Sequence, residues 1–563
     1  MEGLAVQSPK RGAETDPSGR RRDLGLLALL LLAAVGMHGW LLYHTEVAAR
    51  DSIGFISHAL AFEKQPWRTV HRHHHQHPGY PLSVLAVSWP VRAFVTGTEP
   101  DLMRLAAQVA TALAGILLVI PMYYLGKHFF HRAAGFWAAL VFQCLPVSGH
   151  VLSDGLSEGL FLLLTAVALL FACRAVEGNS RKLFAWCGVF CGLAYLTRPE
   201  GALLLVATLV VLLLMQFIPG WRRPWRQLTG CGAALVLPAL VVGSPYFLAI
   251  GGFTLKPSVR QVIGTSADRG SRIEDRGSNS TNALSSILNP QSSILKATVP
   301  AVSLNLDSSQ LGRLAQGLWG LGTEVANGFH YFAWVPAVLG IWYVRRRVWH
   351  MPGTCVVTAF GLMHALILWR LAMTVGYLSD RHVLVLVMCG VYPAVVFVWE
   401  LPSWLLPWLR RETPAVAGQP TGRVAVVSVL LLLTLTAAGL PKTLQALHAN
   451  RAGYHAAGLW LAEHAKRCDV IMDRHLWAHY YAGRVFVDRK AMIPIPPGHR
   501  PVCYYVVSKT KERDQDPTLP QLFLNEEQVR AKGGTAVYHW PANRAFDRAA
   551  VAVYVMPDGF KVQ

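Results

Sequence analysis

A chain of 563 residues that is 53% hydrophobic and only 15% charged, with a mean hydropathy of +0.34, does not have the composition of a soluble globular protein, where about 25% of residues are charged; it reads as a polytopic membrane protein. The formal net charge of +20 raises nucleic acid as a partner, but the lysines and arginines fall largely in short tethers between apolar runs and form no continuous basic face. An anionic lipid surface, or a lipid substrate bearing phosphate, fits that distribution better.

Residues 1–22 are polar, contain Pro and Gly and end in Arg20-Arg21-Arg22, which reads as a disordered cytoplasmic tail. Leu24 to His44 follows as a first membrane helix: it is longer than a signal-peptide core and lacks a small-residue cleavage site. Residues 45–100 form a first external loop, in which Ile53 to Phe62 and Tyr80 to Phe94 have one apolar side and are bounded or broken by Pro66, Pro78, Pro81 and Pro90, as in short helices lying in the interface. Ten further spans are expected at about 102–126, 133–151, 156–173, 183–197, 202–218, 229–250, 328–344, 353–375, 382–399 and 424–440, for about eleven in all.

Charge gives an independent check on that count. If Arg20 to Arg22 is cytoplasmic, then Lys127 to Arg132, Arg174 to Lys182, Arg222 to Arg226, Arg345 to Arg347 and Arg410 to Arg423 all fall on the same side, as positive-inside topology requires. The first loop, a long loop at 251–327 and everything from 442 onward then lie on the opposite, external face. The polar stretch Arg269 to Asn282 reads as mobile. Residues 442–563 change character: a helical pattern at Tyr454 to Lys466 and strand patterns at Val470 to Met472, Val485 to Val487, Cys503 to Val507, Ala536 to Trp540 and Val551 to Val555 predict an external α/β domain with no glycine-rich phosphate loop. Of nine cysteines, seven lie in apolar runs; Cys468 and Cys503 lie in this last segment, where an oxidising compartment would allow them to pair and spacing alone does not decide it.

The polar residues that stand out converge on the external face. Asp51 follows the first helix, Asp154 and Glu158 sit four residues apart at the expected start of the fourth, Arg198 and Glu200 lie between the fifth and sixth, and Asp380, Arg381 and His382 precede the tenth. Ionised groups near membrane depth are costly unless paired or functional. Each also has a plain reading: Asp51 and Asp154 as helix caps, Arg198 and Arg381 as interfacial anchors that snorkel.

The order of these features resembles the GT-C membrane glycosyltransferases. It is carried by Asp51, by His77-Pro78-Gly79-Tyr80-Pro81, by Ser153 to Glu158, by Gly192 to Gly201 with its Thr197-Arg198-Pro199-Glu200 core, and by Leu378-Ser379-Asp380-Arg381-His382. Within that group the chain is most similar to the branch of protein mannosyltransferases and aminoarabinose transferases, over about residues 24–440. The resemblance implies a catalytic domain at 23–441 that uses a polyprenyl-phosphate sugar donor and a lipid, glycan or protein acceptor at the outer face of the cell membrane.

It implies Asp51 as general base, deprotonating an acceptor hydroxyl that attacks the anomeric carbon with inversion. Arg381, and after it Arg198, would stabilise the departing lipid phosphate. Asp154, Glu158, Glu200, His77, Tyr80 and His382 would contact substrate, with a divalent cation at Asp154 and Glu158 as one option. Asp51 is followed by Ser52 where protein mannosyltransferases commonly have a tandem Asp-Glu, which weighs against direct protein mannosylation.

The run His71, His73, His74, His75 and His77 alternates with Arg72 and sits among prolines, which gives no regular ligand geometry, so a polar loop facing headgroups or substrate is expected over a zinc site. A flippase for a lipid-linked sugar is the rival reading; it calls for internal repeats and binding groups at mid-membrane, whereas these charges cluster at one end.

Overall fold

The computed structural model describes residues 17–256, 259, 308–348, 350–375, 378–410, 422–486, 495, 497–508 and 523–557. The long apolar runs form helices because no polar backbone group can go unpaired in hydrocarbon. Seven helices among the described residues are long and apolar enough to cross a membrane. They are α1 (Pro17–His44), α5 (Glu99–Phe129), α8 (Glu158–Gly178), α11 (Trp225–Ile250), α14 (Pro352–Val375), α15 (Leu384–Arg410) and α16 (Gly422–Thr443).

The other four expected spans form shorter helices. Residues 133–151 are split at Leu145-Pro146 into α6 (Arg132–Cys144) and α7 (Pro146–Val151), since a proline cannot donate to the preceding turn. The remaining three are α9 (Arg181–Thr197), α10 (Ala202–Leu214) and α13 (Trp334–Val348). The long loop contains α12 (Ser308–Gly328); its Arg269 to Asn282 stretch, and most of the tether from Arg410 to Arg423, lie outside the described residues.

The first loop is helical, as its pattern predicts: α2 (Arg50–Lys64), α3 (Trp67–His73) and α4 (Gly79–Phe94). At the basic end of the bundle, Asp23 accepts from Tyr123 Oη (2.7 Å), Lys127 Nζ (2.5 Å) and Arg132 Nε (2.7 Å), which ties α1 to α5 and α6. Because α1 runs away from that end and α5 returns to it, the first loop lies at the opposite end, with Asp51.

The C-terminal segment is an α/β unit with four described strands: β1 (Val470–Asp473), β2 (Cys503–Ser508), β3 (Thr535–Trp540) and β4 (Val551–Val555), in the order β1-β2-β4-β3. β1 pairs parallel with β2, and the other pairs are antiparallel. The strand expected at Val485 to Val487 is instead a 3-10 turn at Arg484–Phe486, with residue 487 outside the described residues. Gly483, just before it, has φ +72°, which breaks an extended run. Helix α17 (Ala452–His464) packs on the sheet and on the short α18 (Trp477–Tyr481).

That unit docks on the first loop. Trp477 Nε1 donates to the Ala48 carbonyl (2.7 Å), Ala48 N to Tyr481 Oη (2.8 Å) and Tyr480 Oη to the Pro100 carbonyl (2.7 Å). The same aromatic rings share a buried cluster with Val47, Ile53, Ile56 and Tyr80. Cys468 and Cys503 both carry free thiols.

Candidate active site

Asp51 occupies the first turn of α2, where a carboxylate suits the positive end of the helix dipole. The cap position belongs to Ala49 and has no side-chain cap bond, so capping does not account for the acid. Its Oδ2 lies 2.5 Å from Arg381 Nη1, an ion pair between residues 330 positions apart whose side chains are 39% and 27% exposed.

Arg381 is presented by a 3-10 turn, Asp380–Val383, closed by a capping box between Ser379 and His382. His382 Nδ1 accepts from Ser379 N (3.2 Å) and Asp380 Oδ1 from Arg381 N (2.8 Å), so the neighbours of Arg381 hold the turn that aims it.

Behind this pair lies a more buried one. Glu158 opens α8, and its Oε1 is 2.5 Å from Arg198 Nη1 and 3.9 Å from Arg381 Nε, with Glu158 6% and Arg198 9% exposed. Arg198 is held extended by the following Pro199, and its Nη2 reaches Glu200 Oε1 at 3.2 Å. Burial opposes the charge on Arg198, but the carboxylates of Glu158 and Glu200 more than offset it and hold the guanidinium above its ordinary range.

Sequence reasoning missed Lys256, which follows α11 in a loop with no motif to mark it. Burial first, and then the charge of Arg198, push its ammonium below the ordinary lysine value; Glu200 and Glu158 partly offset them. Asp51 and Glu158 thus meet Arg381, Glu158 and Glu200 meet Arg198, and the Lys256 ammonium lies in the field of Arg198, Glu200 and Glu158.

His77 borders that cluster without entering it. Its Nδ1–H donates to the Tyr195 carbonyl (2.7 Å), which leaves Nε2 to accept from Thr254 Oγ1 (2.9 Å). Thr254 Oγ1 also accepts from Lys256 N (3.1 Å), so His77 braces the Lys256 loop. Burial, with the Lys256 charge next, pulls the imidazole down to about 3, so it is neutral at ordinary pH. Tyr80 is fully buried and its hydroxyl donates to the Ala107 carbonyl (2.9 Å).

The expectation of a headgroup-facing histidine run is corrected for its best-placed members. His71 and His77 are buried, His71 stands edge-on to Trp67 (4.2 Å) and Tyr246 (5.1 Å), and His58 of α2 stacks on His74 (4.4 Å). Aromatic packing against α2 and α11 uses these rings as apolar surface.

Asp154 and Glu158 do not share a helix face as expected, because α8 begins only at Glu158. Gly155, at φ +68°, turns the chain, and a Cβ there would come within 2.8 Å of Ser52 Oγ; the turn therefore lies against the residue after Asp51. Asp154 accepts from His448 Nε2 at 2.8 and 2.9 Å. Each acid has its own cationic partner, so the two do not form the converging anionic donor set a divalent cation needs.

Residues 93–243 match the family described as dolichyl-phosphate-mannose-protein mannosyltransferase. Two undecaprenyl phosphate-alpha-4-amino-4-deoxy-L-arabinose arabinosyl transferases of Pseudomonas aeruginosa are similar over part of the chain. That of strain UCBPP-PA14 is 34% identical over 155 residues and that of strain LESB58 31% over 153; in each case the match covers 26% of this chain and 26% of the relative. The chain thus matches about a quarter of the length of these curated relatives.

A crystal structure of ArnT from Cupriavidus metallidurans bound to undecaprenyl phosphate superposes with a TM-score of 0.54 over 97% of this chain and 99% of that one, at 14% identity. The chain shares the fold of that structure, which agrees with the GT-C architecture its sequence resembles.

Proposed function

We propose that the chain is an integral membrane glycosyltransferase that moves a sugar from a polyprenyl-phosphate donor to a hydroxyl of a lipid, glycan or protein acceptor on the external face, with inversion. The observation that carries this reading is the Asp51–Arg381 ion pair at the rim of a buried, charge-balanced cluster. The fold shared with an undecaprenyl-phosphate-bound structure and the partial similarity to the arabinosyl transferases support it.

Arg198, Arg381 and Lys256 supply three positive charges and Glu158 and Glu200 two negative ones, so the cluster without Asp51 carries one net positive charge. A sugar phosphodiester carries one negative charge, the same as Asp51. The donor phosphate therefore takes the place of Asp51 on Arg381, whose guanidinium can bind two phosphate oxygens at once. Asp51, more exposed and now released, accepts the proton of the acceptor hydroxyl as its oxygen attacks the anomeric carbon. The bond from that carbon to the phosphate oxygen breaks, and Arg381 and Lys256 balance the charge left on the lipid phosphate.

On this reading the amino terminus is cytoplasmic and the C-terminal unit external, in an inner or plasma membrane. The test is mass spectrometry of lipid-linked sugars and surface glycans from cells lacking the protein and from cells rescued with it. The proposal expects the donor lipid to accumulate and one glycan modification to disappear, both reversed by rescue. An unchanged glycan profile, or lipid translocation in proteoliposomes without glycosidic product, would contradict it.

A further inference from the structure

The C-terminal unit holds a group of chemistry-bearing side chains that the transfer reaction does not use. Cys468 and Asp469 precede β1, and His499 lies in the segment that leads into β2; each offers a ligand atom, and the three atoms lie within 4.8 Å of one another. Among the described residues this is the one such group of three or more His, Cys, Asp or Glu side chains. Asp469 is held on both oxygens: Oδ2 accepts from Lys466 N (2.7 Å), and Oδ1 from Val502 N (3.0 Å) and His499 Nε2 (2.8 Å). Cys468 is a free, half-buried thiol.

We infer that Cys468, Asp469 and His499 form a site for a thiolate-binding divalent metal ion of the zinc type. A sulfur, a carboxylate and an imidazole are the donor types zinc takes, and in a tetrahedral site they stand roughly 3.3 to 3.8 Å apart, so closure requires a shift of about 1 Å. The backbone N–H groups of Lys466 and Val502 fix the carboxylate as outer-shell donors fix metal-ligating acids. One thiolate, one carboxylate and a neutral imidazole balance a dication, so the basic neighbours Lys466 and Arg484 impose no net repulsion on the loaded site.

The proton balance is definite. Without metal, His499 Nε2–H donates to Asp469, and Lys466 Nζ stands 3.2 Å from Nδ1. A metal that binds Nε2 moves the ring proton to Nδ1, the exposed Lys466 side chain swings away, and the Cys468 thiol proton is released to solvent. The three ligands leave a fourth position open, and they tie the start of β1 to the strand beside it, where Val470 faces Cys503.

The test uses the full-length protein in detergent with Co²⁺ and Zn²⁺ as probes. Co²⁺ should produce a thiolate-to-cobalt charge-transfer band in the near ultraviolet that Zn²⁺ removes. Cys468→Ser should abolish the band, His499→Ala should weaken Co²⁺ binding at least about tenfold, and Cys503→Ser should leave the band intact. Zn²⁺ should raise the melting temperature of the wild type and not that of Cys468→Ser, which shows the effect even if the serine variant is itself less stable. No band and no melting shift in the wild type, or a band that survives in Cys468→Ser, would overturn the assignment.

Discussion

Asp51 meets its ion-pair partner at 2.5 Å, and in the proposed mechanism that contact opens as the donor phosphate binds. Arg381→Ala should therefore weaken binding of polyprenyl phosphate and lower turnover together. Arg381→Lys keeps the charge and loses the planar fork, so it should recover part of the binding and less of the rate; steady-state kinetics at varied donor concentration separate the two. Glu158 answers to a different rule. Its carboxylate is buried between Arg198 and Arg381, so Glu158→Gln leaves buried cations short of a counter-charge and should cost about 3–5 kcal/mol of stability, read as a lower thermal unfolding midpoint. Asp51 and Arg381 stood out in the chain because ionised groups beside apolar runs are costly unless paired or functional. Lys256 was not, since a lysine in a long polar loop looks like any other until folding carries it to Arg198.

At the scale of elements, the site rests on three junctions. The amino end of α4 sits on the carboxyl end of α9: a Cβ on Gly79 would stand 2.8 Å from the Leu196 carbonyl oxygen and 2.9 Å from Thr197 Oγ1. Gly79→Ala should push α4 off the turn that presents Arg198 and lower both stability and turnover. The second junction is the Gly155 turn against Ser52, and the third is α18 against residues 46–49. Because Trp477 and Tyr481 hold Ala48 three residues before Asp51, Trp477→Ala should lower kcat more than it changes the donor KM, as steady-state assays would show. Helices α2 and α4 and four of the five expected strands were readable from periodicity. The start of α8 was not: Asp154 and Glu158 are spaced like helix-face neighbours, and only the reversal at Gly155 separates them. The histidine run misled for a related reason, because side-chain polarity on paper does not reveal that Trp67, Phe62 and Tyr246 will enclose the rings.

Across the whole molecule, the bundle and the C-terminal unit meet at a titratable contact between His448 and Asp154. Burial opposes charge on His448, but the Asp154 carboxylate more than offsets it, so the imidazole titrates above its ordinary value of 6.5. A raised histidine pKa means that the contact contributes its full stability below the ordinary value and loses it as the pH rises through the raised one. The difference in unfolding midpoint between the wild type and His448→Gln should therefore be largest in mild acid and shrink as the pH rises. The number of apolar runs and their basic tethers made the membrane architecture legible, whereas the docking of the C-terminal unit depends on aromatic residues hundreds of positions from their partners. The central claim is that donor phosphate displaces Asp51 from Arg381 and frees it as the base. Its most direct test is Asp51→Asn in proteoliposomes, with donor turnover and polyprenyl-phosphate affinity measured on the same preparation. The account predicts turnover lower by at least about 100-fold, with lipid-phosphate binding retained or tighter because nothing competes for Arg381; turnover at the wild-type rate would contradict it.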